Sequence, residues 1–118
     1  MKLFKKLVKK IEKAGFSVKE YEDGSVDFQR YSPEGHDFHI EISKVNSLEE
    51  LEKELFLSWD SFDVSEEAYI WLDEFGHGKN GAPYDMRDVY EDMEVCEGYI
   101  LELKNIVTDY LAERMAVK

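Results

Sequence analysis

The stretch FSVKEYEDGSVDFQRYSPEGHDFHIEIS, residues 16–43, alternates apolar and polar residues with a period of two. At that spacing successive side chains of an extended chain fall on opposite faces. Residues 16–21 put Phe16 and Val18 on one face, and Asp23-Gly24 then supplies a tight-hairpin signal. Residues 25–31 align Val26 with Phe28, and Pro33 and Gly35 mark a second turn. Residues 36–43 set Phe38, Ile40 and Ile42 against Asp37, His39 and Glu41. The pattern predicts an antiparallel three-stranded meander with one buried face.

On either side of this stretch the period changes to that of a helix. In residues 2–14, KLFKKLVKKIEKA, Leu3, Leu7 and Ile11 recur four apart with lysines on the other face. Gly15 follows as a C-terminal cap. After the meander, Ser47 and Glu50 form a capping box ahead of a stripe of Leu48, Leu51, Leu55, Trp59 and Phe62. Asp63 or Ser65 starts a further helix over VSEEAYIWLDEF, residues 64–75. A long last helix is expected from about 84 to 113, with Met86, Val89, Met93, Cys96, Ile100, Leu103, Val107 and Tyr110 on its apolar stripe. Gly98 within it suggests a kink or a close-packing point. The reading is α+β in one domain, 1–118: an N-terminal helix, a three-stranded antiparallel meander, then three helices, in the order αβββααα.

With 43% hydrophobic and 14% aromatic residues, the chain can bury a core, which argues against global disorder. It has no run of eighteen apolar residues, and its lysine-rich start lacks the apolar stretch of a signal peptide. The sole cysteine, Cys96, cannot form an internal disulfide, so a cytoplasmic setting is expected.

Charge is the most unusual property. The net is −12, yet residues 1–19 carry seven lysines and one glutamate, which leaves −18 for residues 20–118. Residues 47–103 hold 17 acids against Lys53, Lys79 and Arg87. Nucleic acid and anionic lipid would be repelled, so neither direct DNA binding nor membrane attachment is expected. A basic protein surface is the natural partner, although acidity can also serve solubility alone.

Sites of chemistry are hard to find. DEFGHGKNGAP, residues 73–83, carries Gly76, Gly78 and Gly81, but it follows a helix and lacks the GK[ST] ending of a phosphate loop. It reads as a turn: Gly76 caps the preceding helix, Asn80-Gly81 reverses the chain and Pro83 opens the next helix. His77 has no partner at metal spacing, and His36 and His39 should face opposite sides of the sheet, so no metal or cofactor is expected. Cys96 lies on an apolar stripe and reads as a buried thiol. Without a nucleophile elbow or a cysteine–histidine signature, catalysis is not expected; an enzyme would need a cleft holding His77 or His39 near acids.

The acids themselves remain. Asp85, Asp88, Glu91, Asp92 and Glu94 cluster at the start of the long helix, and Glu66, Glu67, Asp73 and Glu74 lie just before it. Like charges at three- and four-residue spacing cost helix stability, so their persistence asks for a reason. Carboxylates on rigid helices can imitate backbone phosphates and dock in a basic channel. Tyr84 and Tyr90 are the aromatic candidates to anchor such a contact, while Trp59 and Trp71 are expected in the core.

The stretch FDVSEEAYIWLDEFGHGKNGAPYDMRDVYEDMEVCEGYILEL resembles a pattern found in small acidic proteins of phages and mobile elements of Firmicutes. The helix–meander–acidic-helix order is also similar to that of some anti-CRISPR proteins. The resemblance implies an inhibitor that occupies the basic site where a type II CRISPR effector reads DNA. Two other readings share these features: an acidic immunity or antitoxin protein that neutralises a basic nuclease, and a structural or oligomerising domain.

Overall fold

In a computed structural model, residues 3–79 and 85–116 are described. The elements are α1 (Lys5–Lys13), β1 (Ser17–Glu20), β2 (Val26–Tyr31), β3 (Asp37–Ile42), α2 (Leu48–Ser61), α3 (Val64–Ile70) and α4 (Met86–Ala116). The architecture is α+β, with the expected helix, antiparallel sheet and helices in the expected order.

The sheet runs β1-β2-β3, with Phe28 opposite Ile40 and Val26 opposite Ile42. These four side chains are buried, as the period-two pattern requires. Both hairpin connections are longer than two-residue turns. Glu20 pairs with Val26 and Tyr31 with Asp37, so residues 21–25 and 32–36 form the connections. Gly24 and Gly35 take positive φ there, of 91° and 92°.

Helix boundaries follow local chemistry. Ser47 accepts the Glu50 N–H at 3.1 Å, half of a capping box at the start of α2, while Glu50 reaches back to the Asn46 N–H at 2.5 Å, one residue before the cap. Asp63 caps α3 through the Glu66 N–H at 3.1 Å. The third helix ends at Ile70, not Phe75. Beyond it the chain folds into a small loop in which Leu72 pairs with Gly78 and Lys79 N–H donates to the Trp71 carbonyl at 2.9 Å. Asp73 holds the loop by accepting the N–H groups of Phe75 (2.8 Å) and His77 (2.9 Å). Gly76, with φ of 80°, therefore shapes this loop and does not cap a helix. Asn80, Gly81, Pro83 and Tyr84 lie outside the described residues.

α4 is the spine. Ala68 of α3 packs on its N-terminal half, against Val89, Met93 and Cys96. The C-terminal half joins a larger core with Leu7 and Ile11 of α1, Phe28 and Ile40 of the sheet, and Leu51 and Leu55 of α2. Met86, expected on the stripe, is exposed at the first residue of the helix. Gly98 faces solvent with open space around it, so it is no close-packing point. Leu103 is fully buried in the larger core. Leu103→Ala should therefore cost about 2–5 kcal/mol in urea unfolding, from lost burial plus the cavity left behind.

Candidate functional site

At its N-terminal end α4 meets both the β2–β3 connection and the α3 loop. Asp92, one turn beyond Asp88, points inward and is only 2% exposed. Its carboxylate accepts the Ser32 hydroxyl and, at 3.2 Å, the Glu34 N–H, and it meets Nδ1 of His36. The Ser32 oxygen in turn accepts the His36 N–H at 2.8 Å, so the group closes on itself. The Trp71 ring lies edge-on to His36, with centroids 4.7 Å apart. Asp92 is thus a core residue and not one of the surface acids expected from the sequence. Its spacing carried the signal: it lies three residues after Val89 and four before Cys96, within the apolar stripe.

Ser32, His36 and Asp92 do not form a catalytic triad. The serine donates to the aspartate and not to the histidine, and all three are buried. A groove of about 330 Å³ between β3 and α2 is lined by His39, Glu41, Ser58, Ser61 and Glu67. That is the kind of cleft an enzyme reading would require, but both nitrogens of His39 are engaged there. Nδ1 is 2.8 Å from Asp27 and Nε2 is 3.0 Å from Asp37. Among the described residues, no group of three or more His, Cys, Asp and Glu side chains could hold a metal ion. Cys96 is buried, and burial pushes its thiol up to about 12, with Asp92 and Glu67 adding to the effect.

The other sequence-derived residues divide into three groups. Asp88 and Glu91 are brought together around a shallow cavity of about 140 Å³, with Pro33, Glu34, Asp92 and Val95. Glu34 was missed because it belongs to a turn distant in sequence. Asp85 and Asp73 are exposed or half-buried and serve local structure. Asp85 accepts the Arg87 N–H at 2.7 Å, and Asp73 holds its loop, with the His77 N–H keeping its carboxyl below the usual range. Glu66, Glu74 and Glu94 are exposed, Glu67 lies over the groove, and Tyr90 is half-buried beside Val89 and Met93. Tyr84 falls outside the described residues. Trp59 and Trp71 are half-buried at the edges of the two cores.

Charge is separated along the spine. Lys5, Lys6, Lys9 and Lys13 are exposed on α1, which packs on the far end of α4: Phe4 meets Tyr110, and Lys10 pairs with Glu113 at 2.9 Å. The acidic end lies about 20 residues back along α4, or roughly 30 Å at about 1.5 Å per residue. Among the described residues, the two ion pairs made by Lys or Arg are Lys10–Glu113 and Arg30–Glu102. Neither involves Asp85, Asp88, Glu91, Glu94, Glu66, Glu67, Asp73 or Glu74. In comparisons with known proteins, no family matches the chain, nor does any curated protein or solved structure.

Substitution and titration both test this description. Asp92→Ala strips partners from a buried serine, histidine and backbone N–H, and should cost about 3–5 kcal/mol in chemical denaturation. Asp88→Ala at the rim should stay within about 0.5 kcal/mol of wild type. His39 is held above its ordinary pKa of 6.5, first by its hydrogen bond to Asp27. A raised folded value means that its contribution to stability is complete below the unfolded pKa and is lost as pH rises through the folded one. NMR titration should place the His39 midpoint above the ordinary value, and Asp27→Asn should lower it.

Proposed function

We propose that this protein inhibits a nucleic-acid-binding enzyme of host defence, in the manner of anti-CRISPR proteins, by presenting carboxylates in place of backbone phosphates. The face used is the N-terminal end of α4, with Asp88 and Glu91 beside Glu34 of the β2–β3 connection. Glu66, Glu74, Asp85 and Glu94 extend it.

One observation carries the reading: none of these carboxylates pairs with a Lys or Arg among the described residues, although the chain has fifteen such cations. A surface shaped for solubility alone would intersperse both signs. Leaving a one-sign patch unneutralised costs stability through self-repulsion, partly offset for Asp85 and Asp88 by the helix dipole at the start of α4. The cost is recovered when a basic site binds. The long helix gives the acids fixed positions, which suits a rigid imitation of a phosphate row.

The test is competition. A purified type II CRISPR effector with its guide is titrated with duplex target DNA, with and without this protein, at low and high salt. The protein should raise the DNA concentration needed for half-saturation, more strongly at low salt. Asp88→Lys with Glu91→Lys should slow association several-fold and remove most of the inhibition. Unchanged DNA binding at every salt concentration would exclude this class of target.

A further inference from the structure

Residues 54–78 contain seven acids and no lysine or arginine. Among the described residues, five of the ten exposed large apolar side chains fall in this same stretch. The most exposed are Tyr69 (77%) and Phe75 (77%), with Ile70 at 55%. Single exposed apolar residues are ordinary, but three within seven residues, two of them aromatic, are not explained by chance exposure.

Their placement is fixed by the fold. On α3, Glu66, Tyr69 and Ile70 recur at the three- and four-residue spacing of one helix face. That face turns away from Ala68, which is fully buried against Val89, Met93 and Cys96. Past the helix, the loop presents Phe75. The Asp73 carboxylate accepts the N–H groups of Phe75 and His77, so the backbone that carries Phe75 is held in one conformation. Glu66 and Glu74 are exposed next to these side chains in sequence. Exposed apolar side chains flanked by acids suit a protein interface, and carrying Phe75 on a hydrogen-bonded backbone reduces the freedom lost on binding.

We propose that Tyr69, Ile70 and Phe75 form the apolar anchor of a docking surface for a basic amphipathic protein segment, one with an apolar ridge flanked by lysines or arginines. The proposal rests on the reading of the acids as a docking face and narrows the partner. A purely polyanion-binding channel would satisfy the acids but leave the three apolar side chains wet. A second copy meeting this face through its own would set mostly acid against acid, with Lys79 the cation of the same loop. An anionic membrane would be repelled by the same rim.

The test uses the full chain and two probes: a helical peptide with leucines on one face and lysines on the other, and an oligolysine of equal charge. Binding is followed by amide NMR titration. The amphipathic peptide should bind more tightly and shift the resonances of Tyr69, Ile70 and Phe75. Tyr69→Ser with Phe75→Ser should weaken that peptide about tenfold or more. Oligolysine binding should be unchanged, and the dispersion of the amide spectrum reports that the variant is folded. If the double variant binds both probes as wild type does, the apolar anchor is wrong while the acidic docking face survives. If neither probe binds wild type, both readings fail. If the Tyr69 and Phe75 resonances move on diluting the protein alone, the face is covered by a second copy and the proposal is overturned.

Discussion

The buried carboxylate of Asp92 fixes how the parts of this molecule meet. It lies on the spine helix and takes the hydroxyl of Ser32 and the backbone N–H of Glu34 from the β2–β3 connection. It also orients His36, against which Trp71 of the α3 loop rests. Burying a carboxylate is costly, and its hydrogen bonds must offset that cost. The arrangement also sets the rotation of α4 about its own axis. With position 92 turned inward, positions 88 and 91 are turned toward the rim beside Pro33 and Glu34. The proposed acidic face therefore depends on an acid that lies almost wholly buried beneath it.

A second fastening lies seven residues along, two helical turns on the same side of α4. Tyr99 donates to the Tyr31 carbonyl at 3.1 Å and packs edge-on against Phe16. The Arg30 guanidinium lies 4.1 Å from the Tyr99 ring centroid and bonds Glu102 at 3.0 Å. Gly15, with φ of 110°, leaves room for Arg30: an added Cβ would come within 3.2 Å of its Nε. The sheet is thus held to the spine by a buried polar group at one point and by the Tyr99 ring, with Arg30 over it, at the other.

Periodicity made the architecture legible. Alternation at 26, 28, 38, 40 and 42 gave the strands, and the three- and four-residue stripe gave α4. Its limits show at specific residues. Trp71, Leu72 and Phe75 continue an apolar pattern past Ile70, but the Asp73 side chain offers backbone N–H groups a better partner than another helical turn does. Asp92 stands in a run of acids, and its charge masks the stripe position that it holds. His36 and Asp92 are 56 residues apart, and no local pattern signals that they meet. Glu34 joins Asp88 and Glu91 for the same non-local reason.

The separation of charge along α4 has a consequence for how the molecule approaches anything. Its longest dimension is 56 Å against 28 and 24 Å across, with lysines near one end and unpaired carboxylates near the other. Roughly 30 Å between the two ends exceeds the screening length of about 8 Å at physiological ionic strength, so each end responds to its own surroundings. In the field of a basic cleft such a body experiences a torque as well as a pull. It swings its acidic tip forward before any atoms touch, and the lysine-bearing helix trails. Fewer collisions with such a cleft are then spent in the wrong orientation, and approach to it becomes a matter of angle as much as of distance.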